Sequence, residues 1–414
     1  MHQQHLNAHY RKLLIEIYQA ALVRVEGRSA VSNWMKQNAL PDSVRLIAIG
    51  KAAQSMARGA SDYLGDRINQ ALIISKSGHV DHHFCRQLGW VAHEAAHPVP
   101  DETTLHAGQK LLDFLADGSD LPLLFLISGG ASSLVEVPVE GVDIAFLTRT
   151  NDWLLGSGLD ILQMNWIRKG LSQIKGGGLI RYLGGRETIG LAISDVPGDD
   201  PAVIGSGLLV PDLELPERLA AMSLPSWLGD RLLTGVKQWP RISRISPRME
   251  IIANLQSARE AAAERAEAFG LPVSLHHEFL QGDAVATGQR LARELLNGPS
   301  GVFIWGGETT VTLPPSPGQG GRNQHLAVAA ARELAGSFDC YLLAAGTDGT
   351  DGPTDDAGAL VDGGTVIRAA QSGVDVDRCL DDADSGHLLE VSGDLITTGP
   401  TGTNVMDLVI GLRG

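Results

Sequence analysis

The chain has 414 residues, of which 43% are hydrophobic and 20% are charged, and this balance excludes disorder along the whole chain. Its net charge of −15, with no run of Lys and Arg, excludes the basic stripe that a nucleic-acid backbone requires. The longest apolar runs are far shorter than the roughly 20 residues that span a bilayer, so no membrane-spanning segment is predicted.

The start of the chain and its cysteines predict the compartment. The first ten residues, MHQQHLNAHY, lack the positive start, the apolar stretch and the cleavage site of a signal peptide. Cys85, Cys340 and Cys379 are scattered along the sequence, which favours buried thiols over disulfides or a zinc site. We therefore expect a cytoplasmic protein with neither a nucleic-acid partner nor a membrane partner.

The first half of the chain alternates short apolar runs with helical periods. Apolar residues recur at helical spacing within residues 9–25, which predicts an amphipathic helix. After it, the sequence predicts strands at 45–49, 71–74, 123–127 and 188–193, and a helix at 52–64. Repeated strand, glycine turn and helix are typical of a parallel sheet in an α/β fold.

A proline-rich stretch without a clear period, residues 208–247, indicates the main domain boundary near its end. We therefore predict one domain over residues 1–247 and a second over residues 248–414. In the second domain we predict helices at 254–269, 282–296, 323–334 and 365–371, and strands at 302–305, 310–313, 341–344 and 405–412. These elements form a second α/β unit.

Glycine accounts for 49 of the 414 residues, well above its usual share of roughly 7%. The glycines cluster in short loops after apolar runs, where a backbone turns sharply or approaches a ligand closely. Neither the Walker pattern nor a G-x-G-x-x-G between a strand and a helix is present. The loops therefore predict a ligand site, and any nucleotide site must be of another type.

Two loops of the first domain are candidates for binding an anion. Gly50 and Lys51 stand between a strand and a helix, where helix amides and an ammonium attract an anion; alternatively, Lys51 caps the turn and points to water. Ser128, Gly129 and Gly130 follow another strand. Their backbone N–H groups could wrap a phosphate, or they could form a strand-to-helix turn capped by serine.

Residues 157–178 carry Asn165, Arg168, Lys169 and Lys175 on or beside one predicted helix. Basic residues on a helix usually face solvent, which is the alternative here. Because the polar residues are dense on one face, we retain Asn165 and Lys175 as candidates for substrate or nucleotide binding.

Asp195 follows the strand predicted at 188–193, and open sheets bind ligands at the carboxyl ends of their strands. Further acids crowd the same loop. Asp195 is therefore a candidate general base or metal contact, with a turn cap as the alternative.

Glycine-rich loops also surround Arg322. Gly307 and Glu308 follow a predicted strand, and Gly321 and Arg322 open a predicted helix. A guanidinium in this place can reach a carboxylate or a transferring phosphoryl group. A structural ion pair between Arg322 and Glu308 is the alternative.

Residues 346–356 repeat Asp and Gly after a strand, which suits a hard cation such as Mg²⁺ or Ca²⁺, with Asp348 and Asp351 as candidate ligands. The spacing is not that of an EF-hand. An acidic turn held by hydrogen bonds of its own Asp side chains is the alternative. Near the C-terminus, Thr398, Thr401 and Asn404 offer hydroxyl and amide groups for substrate or nucleotide binding.

Taken in order, these motifs resemble one known family. They read IGKAA, HPVPDE, SGGASSL, LLGSGLDI with NWIRKGLSQIKGG, SDVPGDDP with SGLLVPD, GGETTVT, GGRNQ, GTDGTDGPTDDAGA and TGPTGTNVMD. They run from about residue 10 to residue 412. The chain is similar to the glycerate 2-kinases of the MOFRL type, also called class II glycerate kinases.

The resemblance implies phosphorylation of D-glycerate by ATP with Mg²⁺, usually to 2-phosphoglycerate. It implies an N-terminal Rossmann-like domain with a mostly parallel sheet, a smaller C-terminal MOFRL-type α/β domain, and an active site in the cleft between them. By this resemblance, the catalytic residues of the family correspond to Lys51, Asp195 and Arg322 of this chain. Lys51 and Arg322 would position glycerate and stabilise the phosphoryl group, and Asp195 would lie near the attacking hydroxyl or the metal. The further partner to expect is a second copy of the chain in a homodimer.

Three alternatives stay open. The family often reads SGGGSALL where this chain has SGGASSL, so the methyl group of Ala131 predicts a changed approach to phosphate and another hydroxy acid as substrate. Relatives are sometimes labelled hydroxypyruvate reductases, which would make the chain NAD(P)H-dependent, although the dinucleotide fingerprint is missing. A non-catalytic nucleotide or sugar-acid sensor is the third alternative. The joint presence of Lys51, Asp195, Glu308, Arg322, Asp348 and Asp351 argues against it.

Overall fold

The computed structural model describes residues 2–238 and 247–414. They form two compact units: a first unit of Gly27–Ile252, and a second unit that combines Met1–Glu26 with Ala253–Gly414. Residues 239–246, which belong to the predicted boundary stretch 208–247, lie outside the described residues. None of the helices in the described ranges has the length and the apolar character of a membrane span.

The helices, in chain order, are α1 (His2–Val25), α2 (Gly27–Gln37), α3 (Ala53–Leu64), α4 (His82–Gln87), α5 (Glu102–Leu115), α6 (Ala131–Leu134), α7 (Ile144–Gly156), α8 (Ile161–Gly170), α9 (Leu215–Ala220), α10 (Ser226–Gln238), α11 (Leu255–Ala268), α12 (Ala284–Asn297), α13 (Arg322–Leu334), α14 (Thr365–Gln371), α15 (Val376–Asp381) and α16 (Ser385–Ser392). Short 3₁₀ helices span Gly65–Arg67, Gly178–Tyr182 and Ile204–Ser206.

The strands are β1 (Val44–Ile49), β2 (Ile68–Lys76), β3 (Val91–Ala95), β4 (Leu123–Ile127), β5 (Thr188–Ile193), β6 (Arg248–Ala253), β7 (Val273–Leu280), β8 (Gly301–Gly307), β9 (Cys340–Gly346), β10 (Gly358–Asp362), β11 (Leu395–Ile396) and β12 (Asp407–Arg413).

The first unit is built on a sheet with the strand order β3-β2-β1-β4-β5-β6, and the pairs from β3 to β5 are parallel. Every residue of β1, β4 and β5 is buried, because helices cover both faces of such a sheet and apolar side chains are needed on each. A smaller core joins α7, α8, α9 and α10, with Leu154, Ile167, Leu219 and Leu232 at its centre. The parallel sheet predicted for the first half is confirmed.

The second unit has a mixed sheet with the order β11-β10-β9-β12-β8-β7, in which β7 and β8 are parallel and the other neighbours are antiparallel. Its core packs Trp305 of β8 and Leu342 of β9 against Leu326 of α13 and Leu291 of α12. The two-domain α/β fold class is therefore confirmed.

Helix α1 is part of the second unit. Arg11 forms ion pairs with Asp362 (2.8 Å) and Asp394 (2.9 Å), two buried carboxylates of that unit. The hydroxyl of Tyr18 donates to the carbonyl oxygen of Gly346 at 2.7 Å. The predicted domain limits grouped residues 1–26 with the first domain, whereas these contacts hold them to the sheet of the second unit.

The predicted strands at 123–127 and 188–193 and the helix at 365–371 have the bounds of β4, β5 and α14. The strand predicted at 310–313 is wrong, since only Thr310 pairs there, in an isolated bridge with Asp283. The chain then reaches Pro314 and Pro315, which lack the N–H groups that a ladder needs. The predictions also omitted five strands: β3, β6, β7, β10 and β11.

Candidate functional site

The loops at the carboxyl end of the first unit's sheet meet where the strand order reverses. β1 continues the chain to β2 on one side and lies beside β4 on the other, and open α/β sheets bind ligands at such a switch point. Ile49 pairs with Ile127, and Ile127 pairs with Ala192, so β1, β4 and β5 end in one row. With strands about 4.8 Å apart, the loops that follow start within about 10 Å of each other.

The Gly50–Lys51 turn contacts the Ser128–Gly130 loop directly. The N–H of Lys51 donates to the carbonyl oxygen of Gly129 at 2.9 Å, and the N–H of Ala52 donates to Ser128 Oγ at 3.0 Å. Gly50 has φ +132°, and a Cβ there would lie 2.6 Å from the carbonyl oxygen of Ser128. Only glycine fits this turn, which brings the two predicted anion loops together.

His97 and Lys51 both lie close to Gly130. A Cβ on Gly130, whose φ is +84°, would lie 2.9 Å from the His97 ring and 3.3 Å from Lys51 Cγ. Ser132, two residues further on, shares a 2.6 Å hydrogen bond with Ser206. The methyl group of Ala131, in contrast, is fully buried in the core of the first unit, so it does not line the adjoining pocket.

A pocket of about 440 Å³ adjoins this loop. Its walls are His97, Pro98, Val99, Pro100, Gly130, Ser132, Ser133, Glu136, Leu147, Thr150, Asn151, Leu155, Arg168, Leu171 and Lys175. Lys175, a predicted binding residue, is 4% exposed and pairs with the buried Glu136 at 2.5 Å. Its charge is therefore compensated inside the protein.

Asn165 lies on a second pocket of the first unit, of about 510 Å³. The same pocket is lined by Lys169 and Asp212, which form a buried ion pair at 2.8 Å, and by Arg218, whose guanidinium lies 3.4 Å from Asp212. The two binding residues predicted on this segment therefore line different pockets. Lys175 lines the pocket beside Gly130, and Asn165 lines the neighbouring pocket.

Asp195 lies two residues beyond the end of β5 and is half-buried. Because β5 is parallel to β4, Asp195 stands at the same sheet edge as Ser128 and Gly50. The sheet therefore gathers Lys51, Asp195 and the Ser128–Gly130 loop at one edge of the first unit.

In the second unit, three strand ends form a comparable row. Asp407, the first residue of β12, pairs with Gly307 at the end of β8 and with Gly346 at the end of β9. Glu308 follows directly after Gly307. Arg322, the first residue of α13, reaches this row with its guanidinium.

Arg322 forms a two-pronged ion pair with Asp407, in which Nε and one terminal nitrogen donate to the two carboxylate oxygens at 2.6 and 2.9 Å. Its remaining terminal nitrogen lies 3.1 Å from Glu308. Burial by itself would lower the pKa of Arg322, but the hydrogen bonds and charge of Asp407, with the charge of Glu308, outweigh it and raise that pKa. The guanidinium is thus held in one orientation as a permanent cation.

Asp351 caps α13 from a distant loop. Its carboxylate accepts hydrogen bonds from the N–H and the side-chain amide of Asn323 (3.1 and 3.2 Å) and from the N–H of Gln324 (2.8 Å). A Cβ on Gly321 would collide with this carboxylate, so glycine is required at that position. Burial raises the pKa of Asp351 to about 7.

Asp348 is half-buried, and its Oδ1 accepts from the N–H and the hydroxyl of Thr350 at 3.1 and 3.0 Å, as in the acidic-turn alternative. Among the described residues, no group of three or more His, Cys, Asp or Glu side chains could hold a metal ion. Magnesium binding by Asp348 and Asp351 stays a prediction, and Asp351 already uses both of its oxygens.

The C-terminal loop packs on the loop after β9. Thr401 donates to the carbonyl oxygen of Thr347 at 2.5 Å, and the Thr398 hydroxyl lies 2.8 Å from where a Cβ on Gly349 would stand. Asn404 Oδ1 accepts from the N–H of Met406 at 3.4 Å. The structure therefore groups Thr398, Thr401 and Asn404 with Asp348.

Asp407 and His97 were not among the predicted site residues. Both occur inside the motifs that carry the family resemblance, at the end of TGPTGTNVMD and at the start of HPVPDE. An acid directly before an apolar run, as in Asp407, was the available signal, but its partner Arg322 lies 85 residues away.

Comparison with known proteins identifies the family. The family described as Domain of unknown function (DUF4147) matches residues 13–232, and the MOFRL family matches residues 301–407. The D-glycerate 2-kinase of Thermotoga maritima is 37% identical over 97% of this chain and 98% of its own length. The glycerate 2-kinase of Pyrococcus horikoshii is 34% identical over 91% of this chain and 89% of its own length.

An Agrobacterium vitis protein with the provisional name of a hydroxypyruvate reductase is 34% identical over 96% of this chain and 93% of its own length. Among solved structures, the crystal structure of glycerate kinase from Thermotoga maritima superposes with a TM-score of 0.86 at 35% identity, over 98% of this chain and 100% of that chain. The chain therefore belongs to the MOFRL-type glycerate 2-kinase family and is a kinase.

Proposed function

We propose that this kinase transfers the γ-phosphoryl group of ATP to D-glycerate in the presence of Mg²⁺, giving 2-phosphoglycerate. The observation that carries the proposal is the match with the Thermotoga maritima D-glycerate 2-kinase along nearly the whole of both chains. Phosphoryl transfer requires positioning, cations for the developing charge and an acceptor for the hydroxyl proton.

Lys51 is the cation that the first unit contributes. Its backbone is fixed by the hydrogen bond to Gly129, so its side chain starts from a rigid turn at the switch point. Asp195, at the same sheet edge, is the group that we assign to the attacking hydroxyl of glycerate, where it accepts the proton. The N–H groups of Gly129 and Gly130 are the proposed phosphate donors in that loop, whereas the N–H of Ser128 already donates to the carbonyl oxygen of Ile49 at 3.0 Å.

Arg322 is the cation that the second unit contributes. Asp407 and Glu308 fix its guanidinium, which we assign to the carboxylate of glycerate or to the transferring phosphoryl group. Thr398, Thr401 and Asn404 supply hydroxyl and amide groups in the loop beside Asp348. They are the proposed polar contacts to the nucleotide.

The donor chemistry of Asp348 fits Mg²⁺ better than that of Asp351. Mg²⁺ is commonly bound through one or two carboxylates together with substrate phosphates and waters, so a large cluster of protein ligands is not required. Asp351 uses both of its carboxylate oxygens for hydrogen bonds to the N-terminus of α13, which makes it the poorer candidate for a metal ion. When bound, the ion would neutralise charge on the phosphates, and Asp348 is the residue that would hold it.

The test is ADP release from ATP and Mg²⁺, measured with D-glycerate, L-glycerate, hydroxypyruvate and tartrate in parallel. We expect ADP formation that depends on D-glycerate and a product whose ³¹P NMR spectrum shows phosphate on the 2-hydroxyl. Lys51→Ala and Arg322→Ala should each lose most of this turnover while keeping the fold. Full turnover in either folded variant would contradict its assigned role.

The same preparations test the two alternatives. A reductase would oxidise NADH or NADPH with hydroxypyruvate, as the name of the Agrobacterium vitis relative suggests for that protein. A sensor would bind ATP or an acid without releasing ADP. Turnover with another acid, and not with D-glycerate, would move the proposal to that substrate.

A further inference from the structure

Arg168 on α8 is a cation without a carboxylate partner. Its polar contacts are two amide oxygens, Oδ1 of Asn151 and Oδ1 of Asn165, both at 3.4 Å. No ion pair joins it to an acid of the described chain, and burial lowers the pKa of its guanidinium with no acid to raise it again. Arg322, by comparison, has two carboxylates.

Such a cation is costly to keep half-buried, because taking a charge out of water costs free energy unless an opposite charge or good hydrogen bonds replace the water. An arginine stays ionised under these conditions, since its pKa lies too high for deprotonation. A side chain of this kind is therefore one that a bound anion would stabilise.

The helices beside it fix where Arg168 lies. α8 begins with a capping box, in which Asp160 accepts from Gln163, and α7 begins with Asp143 capping Phe146. The two helices pack around the small core of Leu154 and Ile167. Arg168 and Thr150 thereby reach the pocket of about 440 Å³ next to Gly130.

The other charges on that pocket compensate each other. Lys175 and Glu136 form their buried ion pair, and Glu136 also accepts from Ser172 and from the N–H of Val137. The hydroxyls of Ser133 and Thr150 donate to backbone carbonyls. Arg168 is thus the charged donor left available to a ligand on these walls.

We propose that this pocket of the first unit binds an oxyanion through Arg168. Its size is within the usual range for small-molecule sites, roughly 300–1,000 Å³. Leu147, Leu155 and Leu171 form an apolar wall on which the rest of the ligand can pack. The oxyanion is a carboxylate of the acid substrate or a phosphate of the nucleotide. This identification rests on the proposed function, because it takes the ligand from the same reaction.

The experiment is isothermal titration of the full chain with D-glycerate and, separately, with a non-hydrolysable ATP analogue and Mg²⁺. Arg168→Gln should raise the dissociation constant of one of them about 10- to 100-fold, as expected for loss of a charge-assisted hydrogen bond. A change for D-glycerate identifies a carboxylate site, and a change for the nucleotide identifies a phosphate site. Arg168→Lys should recover part of the affinity.

Leu155 provides a second test that does not disturb folding, since its side chain is 78% exposed at the rim of the pocket. Leu155→Asp should weaken binding of the same ligand and Leu155→Lys should strengthen it. Leu162→Asp is the matched control, because Leu162 is 54% exposed and lines the neighbouring pocket instead.

Unchanged affinity for both ligands in folded Arg168→Gln and in Leu155→Asp would overturn the proposal. So would an equal loss in Leu162→Asp, since that would reflect the general charge of the surface. These titrations need no turnover. Absence of ADP release with D-glycerate would therefore count against the proposed function, whereas the titrations test the oxyanion site itself.

Discussion

At the scale of single residues, the orientation of Arg322 depends on an acid that touches its guanidinium with both oxygens. Asp407 is 4% exposed and begins β12, so its position is fixed by the ladder hydrogen bonds to β8 and β9. A guanidinium held in this way loses little further freedom when it binds an anion. Asp407 is thus a positioning residue that acts through Arg322.

Asp407→Asn should lower kcat by up to about 100-fold, because a small displacement of Arg322 spoils the alignment of phosphoryl transfer. It should also lower the free energy of unfolding by about 2 to 4 kcal/mol, since one buried partner of the pair is lost. Urea denaturation and steady-state kinetics measure both. Asp377→Asn is the control: it removes a 2.6 Å partner of Arg332 on the same helix α13, but Asp377 is 69% exposed. That change should cost less than about 1 kcal/mol and leave kcat unaltered.

The carboxyl group of Asp351 makes stability depend on pH. Its pKa is raised from 3.8 to about 7 in the folded protein, so the folded state holds a proton that the unfolded state releases. The stabilisation is complete below pH 4 and is lost as the pH rises towards 7, by up to about 4 kcal/mol. Urea denaturation between pH 4 and pH 8 measures the free energy of unfolding of the wild type and of Asp351→Asn. The wild-type value minus the variant value should fall as the pH rises. A difference that is constant with pH would contradict the raised pKa.

At the scale of elements, the turn after β1 and the loop after β4 form one structure. Gly50→Ala should lower the free energy of unfolding by about 3 kcal/mol and abolish most activity, because a Cβ at φ +132° meets the backbone of Ser128. Gly78→Ala also adds a Cβ at positive φ, +79°, but no atom lies within 4 Å of it. That control should cost only about 1 kcal/mol and preserve kcat. Equal effects in the two variants would mean that the contact with Ser128 is unimportant.

The sequence predicted several of the strands that are buried on both faces, although it missed β10, which is also buried along its whole length. β1, β4 and β5 are largely apolar runs followed by a glycine or a serine, and that pattern identified them within one residue of their ends. β3 was missed because its sequence, VAHEA, is mostly polar or partly exposed at the sheet edge. A single-sequence pattern cannot separate such an edge strand from a loop.

The candidate site was predictable as loops but not as contacts. Glycine runs after strands indicated the loops in which Lys51, Arg322 and Asp348 would lie, since the conformation of a turn depends mainly on its own residues. The partners of charged residues depend on strand register and come from distant segments, as Asp407 does for Arg322. For the same reason, sequence could not show that Lys175 is neutralised by Glu136, or that Asp351 caps α13.

At the scale of the whole molecule, the second unit is assembled from both ends of the chain. We expect a fragment of residues 253–414 to lack a stable fold, because Arg11 and Tyr18 would be missing from its sheet. A permuted fragment that runs from residue 253 to 414 and then, through a flexible linker, from 1 to 26 should fold. Gly414 lies close to Tyr10, and the remaining eight residues of α1 back to His2 extend about 12 Å, so a short linker is sufficient.

Circular dichroism and thermal melting compare the two fragments. Arg11→Ala in the permuted fragment serves as an intermediate case, since it leaves Asp362 with Arg368 as a remaining partner. A stable fold in the unpermuted fragment would show that α1 is dispensable to the unit.

The placement of α1 also sets an order of events during synthesis. Residues 2–25 are synthesised before the segments on which they pack: α11 begins about 230 residues later, and β9 and β12 begin more than 300 residues later. For the time that about 230 further residues take to emerge, at roughly 5–20 residues per second, α1 has no native surface to cover its apolar side chains. α1 is thus open to chaperones during this interval, and synthesis of β12 is the step that completes the surface on which it packs.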